Sequence, residues 1–175
     1  MRRLIFCAVI LTCATLTAIS QKKVYPQPIL AEKADIWGYA IDRDKNKLVL
    51  GYIYQEANEF DETVGQAIVK FNGHFAVIDE GGSAVIEPIY DDILFVQEYQ
   101  TYIVRLHDKS GVFSCSGQQI IPVKYDNIGS GSDGWYEGEH NGEWVYVHPD
   151  GRQTSDYTQY LEWKNAPKTP DGHNP

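Results

Sequence analysis

Phe75-Ala76-Val77-Ile78-Asp79-Glu80-Gly81-Gly82-Ser83-Ala84-Val85-Ile86-Glu87-Pro88-Ile89-Tyr90-Asp91-Asp92-Ile93 decides the fold, because much of it recurs further along the chain. Laid without a gap on Ser110 to Ile128, it sets Gly82 on Gly117 and Ile86 on Ile121. Tyr90-Asp91 falls on Tyr125-Asp126 and Ile93 on Ile128, always at an offset of 35 residues. An earlier copy opens at Trp37-Gly38 and, after a turn two residues longer, lays Leu48 to Tyr54 on Ala84 to Tyr90. A truncated last copy runs from Trp144 to Arg152. The starts at 37, 75, 110 and 144 are 38, 35 and 34 residues apart. Self-similarity at such a period marks a chain built of stacked supersecondary units.

Each unit reads as β structure. Trp144-Val145-Tyr146-Val147, Phe75-Ala76-Val77-Ile78 and Leu48-Val49-Leu50 are short apolar or aromatic runs bounded by turn residues. Asp79 to Gly82 and Pro149 to Gly151 are turn clusters in which glycine supplies a positive φ. Gln66 to Val69, Thr101 to Val104 and Trp135-Tyr136 give a third strand per unit. Asn72-Gly73 and Asn141-Gly142 are two-residue hairpin signals. His107-Asp108 stands at the equivalent place in the middle linkage and is expected to turn differently. The expected fold class is therefore all-β: three to four antiparallel meander repeats of about 35 residues, closing as an open roll, a solenoid or a small propeller. Such a unit cannot cover its own apolar face, so neighbours must supply the cover, with Trp37, Phe75 and Trp144 as the shared core. A short helix with Ser155 as N-cap, and Tyr157, Tyr160 and Leu161 on one face, is expected to cap the C-terminal end.

On these residues the chain resembles the WG repeat family of bacterial proteins. Trp37-Gly38 matches the opening of that family's unit, Ile78-Asp79 with Gly82 its middle, and Pro88 with Tyr90-Asp91 and Pro122 with Tyr125-Asp126 its end. Phe75-Ala76, Ser110-Gly111 and Trp144-Val145 depart from the opening pair, and Tyr54-Gln55 departs from Tyr-Asp. The resemblance implies a β-rich binding or interaction scaffold and brings no catalytic residues with it.

Composition sets the outer limits. The chain has 175 residues with 43% apolar and 22% charged, the make-up of a globular protein, and a formal charge of −9. That charge argues against nucleic acid as a partner, which needs a basic surface. Residues 1–20 read as a secretory signal peptide. Arg2 and Arg3 precede an uncharged apolar run to Ile19, and Ala18-Ile19-Ser20 offers small residues for cleavage. The run is shorter than the roughly 20 residues of a membrane helix. An exported protein, periplasmic or extracellular and without a membrane span after cleavage, is the expectation. Lipid anchoring through Cys13 is not expected, because Thr12 precedes it where a small residue is wanted. Cleavage after Ser20 leaves 13 Lys+Arg against 24 Asp+Glu, a formal charge of −11, and Cys115 as the one remaining cysteine. An extended lead-in over 21–36, the repeats over 37–154, a cap over 155–166 and a disordered tail over 167–175 complete the organisation.

The candidate site residues are few. Asp91, Asp92 and Asp126 could form a carboxylate row for a cation or glycan, but recurrence at the repeat period favours a turn role, with Asp accepting backbone N–H groups. Asp42-Arg43-Asp44-Lys45-Asn46 has the spacing of early calcium ligands, yet Lys47 and Ile53 stand where glycine and the closing glutamate belong. His74, His107, His140, His148 and His173 show no zinc spacing, and Cys115 reads as a packed thiol. Gly129 to Gly134 reads as a flexible loop, and Trp135-Tyr136 beside it as the best place for an exposed aromatic contact. No catalytic residue, metal or cofactor is expected. The expected function is a non-catalytic binding module presenting an acidic surface to a protein or glycan partner, a cationic one in view of the charge. A small envelope enzyme acting on polysaccharide through turn carboxylates, or an immunity-type inhibitor of a basic toxin, is the alternative.

Overall fold

A computed structural model describes residues 22–166; the expected signal peptide, Cys13, His173 and the tail 167–175 lie outside the described residues. The strands form four consecutive antiparallel sheets, each a simple meander. The first sheet comprises β1 (Gln27–Leu30), β2 (Trp37–Ala40) and β3 (Leu48–Tyr54). The second comprises β4 (Glu56–Ala57), β5 (Gln66–Phe71), β6 (His74–Asp79) and β7 (Ala84–Tyr90). The third comprises β8 (Asp92–Val96), β9 (Thr101–Leu106), β10 (Lys109–Ser114) and β11 (Gln119–Tyr125). The fourth comprises β12 (Asn127–Ser130), β13 (Tyr136–His140), β14 (Glu143–Val147) and β15 (Gln153–Thr154), and the helix α1 (Tyr157–Asn165) follows. Elements in substantial contact belong to one sheet or to neighbouring sheets, and the sheets do not close into a barrel.

The second, third and fourth sheets have four strands where the repeat promised three. The extra one is the first, β4, β8 or β12, which begins two residues after Tyr54, Tyr90 or Tyr125, and after the last two the Tyr-Asp pair reads as a turn. The sequence repeat and the sheet are therefore out of phase. The unit that opens at Phe75 supplies β6 and β7 to the second sheet and β8 and β9 to the third. Each unit thus ties two sheets together through one continuous chain.

Strand alternation then builds three seams. Side chains at successive positions face opposite sides of a sheet, and in the middle sheets both sides are covered. Ala67, Val69, Ala76 and Ile78 face the first sheet and its buried Tyr39 and Tyr54. Val77, one residue along, faces the third sheet and packs with Tyr102 and Val104. Val112 faces the fourth sheet and packs with Tyr136 and Val147. Trp37 and Phe75 are half-buried against the first and second seams, as the repeat implies. Trp144 is not: it is 62% exposed, because among the described residues no fifth sheet lies beyond the face it occupies.

Two local expectations change. His107-Asp108 turns just as the Asn-Gly pairs do, with φ of 47° and 63° against 50° and 85° at Asn72-Gly73 and 55° and 80° at Asn141-Gly142. A register shared by all three hairpins overrides the residues' own preference. The helix N-cap is Asp156 rather than Ser155; its carboxylate accepts from the N–H groups of Thr158 (2.7 Å) and Gln159 (3.3 Å).

Candidate functional site

The hairpin turns β5–β6, β9–β10 and β13–β14 gather at one end of the stack, and there the Tyr-Asp pairs are explained. Tyr54, Tyr90 and Tyr125 are buried in successive seams. The following residue reaches forward to the hairpin of the next sheet. Gln55 accepts from the N–H of Gly73 (2.6 Å), Asp91 from that of His107 (2.8 Å) and Asp126 from that of Asn141 (2.8 Å). Asp126 also pairs with Lys109, and that bond, with the Asn141 N–H, holds its carboxyl below the ordinary range. Asp92 lies 3.8 Å from Arg105, and His74 lies 4.0 Å from Asp91. The three acids sit along one rim, each with a partner, and Asp91 and Asp126 serve turns. Near the opposite end, Asp44 accepts from the N–H of Asn46 (3.0 Å) and Asp42 pairs with Lys47 (3.0 Å). Among the described residues no three His, Cys, Asp or Glu side chains are placed to hold a metal ion.

Trp135 and Tyr136 are both 1% exposed, so neither is the surface contact the adjoining loop suggested. Tyr136 belongs to the third seam, where its hydroxyl lies 2.7 Å from that of Thr101. Tyr102 makes the equivalent contact one sheet earlier, donating to Gln66 Oε1 at 2.9 Å. Trp135 stands where Gln66 and Thr101 stand in the preceding sheets, and meets α1 in place of a further sheet. It is stacked with Trp163 at 6.0 Å and meets Tyr160 edge-on at 5.4 Å. The Gly-Ser segment beside it is pinned rather than free. Lys164 bridges to Ser132 (2.8 Å) and Asp133 (2.9 Å), and Tyr99 donates to the Gly131 carbonyl (2.9 Å). Cys115 is half-buried, its thiol donates to the Gln100 carbonyl, and burial pushes its pKa up, away from a reactive thiolate.

A cleft that the repeat did not announce opens at the other end of the second seam. Its volume is about 480 Å³, and it runs between the long β4–β5 loop and β8–β9. Its floor is Phe60, Ile68 and Tyr102, with Phe95 half-buried beside them. Its rim carries Glu59, Asp61 and Glu62 together with the amides of Asn58, Gln66 and Gln97. Tyr39 fixes the loop from below by donating to the Asn58 carbonyl (2.7 Å), while Phe60 packs between Tyr39 and Tyr25. Burial works to raise the Asp61 carboxyl; the Thr63 hydroxyl and the N–H groups of Thr63 and Val64 outweigh it and hold the group below its ordinary value. Asp61 is thus a fixed anion at neutral pH. Glu59 is paired with Arg43 (2.7 Å) and Glu62 with Lys22 (2.9 Å), both in exposed contacts of small energy that an incoming cation can replace. The sequence signal for this cleft was the eight-residue stretch between β4 and β5, against four residues in the equivalent place between β8 and β9.

Residues 75–109 match the WG containing repeat, so the chain carries a WG repeat, and that stretch is the unit shared by the second and third sheets. No curated protein sequence matches the chain. A solved structure described as the crystal structure of the eukaryotic initiation factor is similar at 8% identity and a TM-score of 0.45. That likeness covers 75% of this chain and 38% of that one.

Proposed function

We propose that the protein is an exported, non-catalytic binding module that takes a basic segment of a protein partner in the acidic cleft of the second seam. The observation that carries this reading is the cleft itself: a concavity of about 480 Å³ with three carboxylates on its rim and a fixed apolar floor. A lysine or arginine stem lies against apolar floor while its head meets the rim. A protein is favoured over a glycan because Phe60 and Tyr102 are buried and Phe95 is half-buried, so that no cleft ring is fully open to a sugar face. The enzyme alternative gains little support, since Asp91 and Asp126 are committed to hairpin turns. The test is titration of the full chain with a lysine-rich peptide at low ionic strength. Saturable binding that weakens with added salt, and at least about tenfold in Asp61→Asn and Glu62→Gln, is expected. Saturation by a neutral oligosaccharide with no response to the peptide overturns the reading.

A further inference from the structure

The fourth sheet is incomplete in a specific way. In the other three sheets the last strand is seven residues long and pairs along the whole of its neighbour, so that Trp37 faces Tyr54, Phe75 faces Tyr90 and Ser110 faces Tyr125. In the fourth sheet β15 has two residues, and its pairing with β14 ends at Tyr146 opposite Thr154. The chain then turns away, because Asp156 caps α1. Glu143, Trp144 and Val145 therefore form an open strand edge, a ready template for an added strand.

Position by position, this edge has changed its chemistry. Gly38, Ala76 and Gly111 occupy the second place of the opening pair; a Cβ on Gly38 or Gly111 would come within 2.7 Å of the last strand's backbone. Val145 fills the same place, which fits an edge that β15 does not reach. Opposite Phe75 stands Lys70, its ammonium 4.9 Å from the ring centroid; opposite Trp144 stands Glu139. A cation over an aromatic ring has been exchanged for a carboxylate beside a larger, open ring. Glu137 faces the same way and is close enough to Tyr146 to raise its phenol pKa, second to burial. Among the described residues, Glu137, Glu139 and Glu143 make no ion pair. α1 covers Tyr146 and Trp135 but leaves Trp144 open.

We infer that the edge of β14 receives an extended partner segment, antiparallel and without a bulge, that sets a lysine or arginine over Trp144 within reach of Glu139. It deepens the binding-module reading, but at a surface separate from the cleft. The occupant is a peptide segment because the edge offers backbone pairing, and a basic one because ring and carboxylates together attract a cation.

The test uses the full chain and a blocked heptapeptide of alternating lysine and valine, followed by amide NMR and hydrogen exchange. Binding should protect the amide of Trp144, which faces the open edge, and shift those of Glu143 and Val145, which face β13. Trp144→Ala should weaken it at least about tenfold and Glu139→Lys should abolish it. Asp61→Asn should leave this site unchanged, so that the cleft can fail while the edge stands, and the reverse. Three results overturn the inference: equal binding of a glutamate–valine peptide, protection confined to residues 58–63, or the same shifts from raised protein concentration alone, which would make a second copy the occupant.

Discussion

Gly117 shows why the turn glycines do two things at once. Its φ is 80°, and a Cβ there would lie 2.4 Å from the Val85 carbonyl oxygen on the preceding sheet; Gly151, at φ 96°, has no neighbour within 4 Å. Gly151→Ala should therefore cost only the left-handed backbone term, about 1 kcal/mol. Gly117→Ala adds displacement of a neighbouring strand and should cost clearly more, about 3 kcal/mol in urea denaturation. Equal losses would mean that the turn does not press on the preceding sheet. The opposite experiment suits His107-Asp108, which hold left-handed φ values without glycine or asparagine. The double replacement His107→Asn, Asp108→Gly keeps the N–H that Asp91 accepts and should raise stability by about 1 kcal/mol. A neutral or negative change would show that the turn's side chains have a role of their own.

At the level of elements, α1 replaces the sheet that would follow the fourth. Tyr160 is 5% exposed and stacks on Tyr146 with centroids 4.0 Å apart. Tyr160→Ala should lower stability by about 3 kcal/mol and open the segment 155–166 to protease before the rest of the chain. Cleavage no faster than in the parent would show that the helix is held by other contacts. The β14–β15 loop beneath supplies a pH-dependent part. Burial acts to raise the Asp150 carboxyl, but Arg152, through side chain and N–H, and His148 bring it down to about 2. Its folded value is below its unfolded one, so the stabilisation is complete above about pH 4 and is lost as pH falls towards 2. With a third of the side chain exposed, on the order of 1 kcal/mol is expected after screening. Thermal unfolding of Asp150→Asn should fall below the parent at pH 6 and approach it only as pH falls through about 2; a gap that stays constant with pH would assign the effect to something other than charge. What the sequence disclosed at this scale follows the same physics. The turns and the seam tyrosines were legible because every unit needs them alike. β8 and β12 were not, since each follows a Tyr-Asp that also reads as a turn, and their role is set by pairing with the next unit. The burial of Trp135-Tyr136 was not legible, because a flanking glycine-rich segment says nothing about the helix packed over Trp135. The cleft was not legible either, because it arises where the repeat is broken by a longer loop.

Across the whole molecule, the offset between repeat and sheet makes the stack one thermodynamic object. Cutting between sheets breaks a sequence unit, and cutting between units breaks a sheet, so no boundary leaves a covered fragment behind. The seams reinforce this, since Val77 and Ile78, adjacent in β6, serve the second and first seams respectively. Val104, fully buried in the second seam, is the place to test it. Val104→Ala removes two methyl groups there and should cost about 2 kcal/mol. If the seams are coupled, that loss appears equally at both ends of the stack. Trp37 reports on the first sheet and Trp135 on the fourth, so variants keeping only one of the two, with the other tryptophans changed to phenylalanine, give separate readings. Each should unfold in a single urea transition, and the midpoint of each should fall by the same amount when Val104 is shortened. A split in which Trp37 keeps its midpoint while Trp135 loses it would show sheets that fold as beads. The repeat would then be a record of duplication rather than the means by which the core is closed.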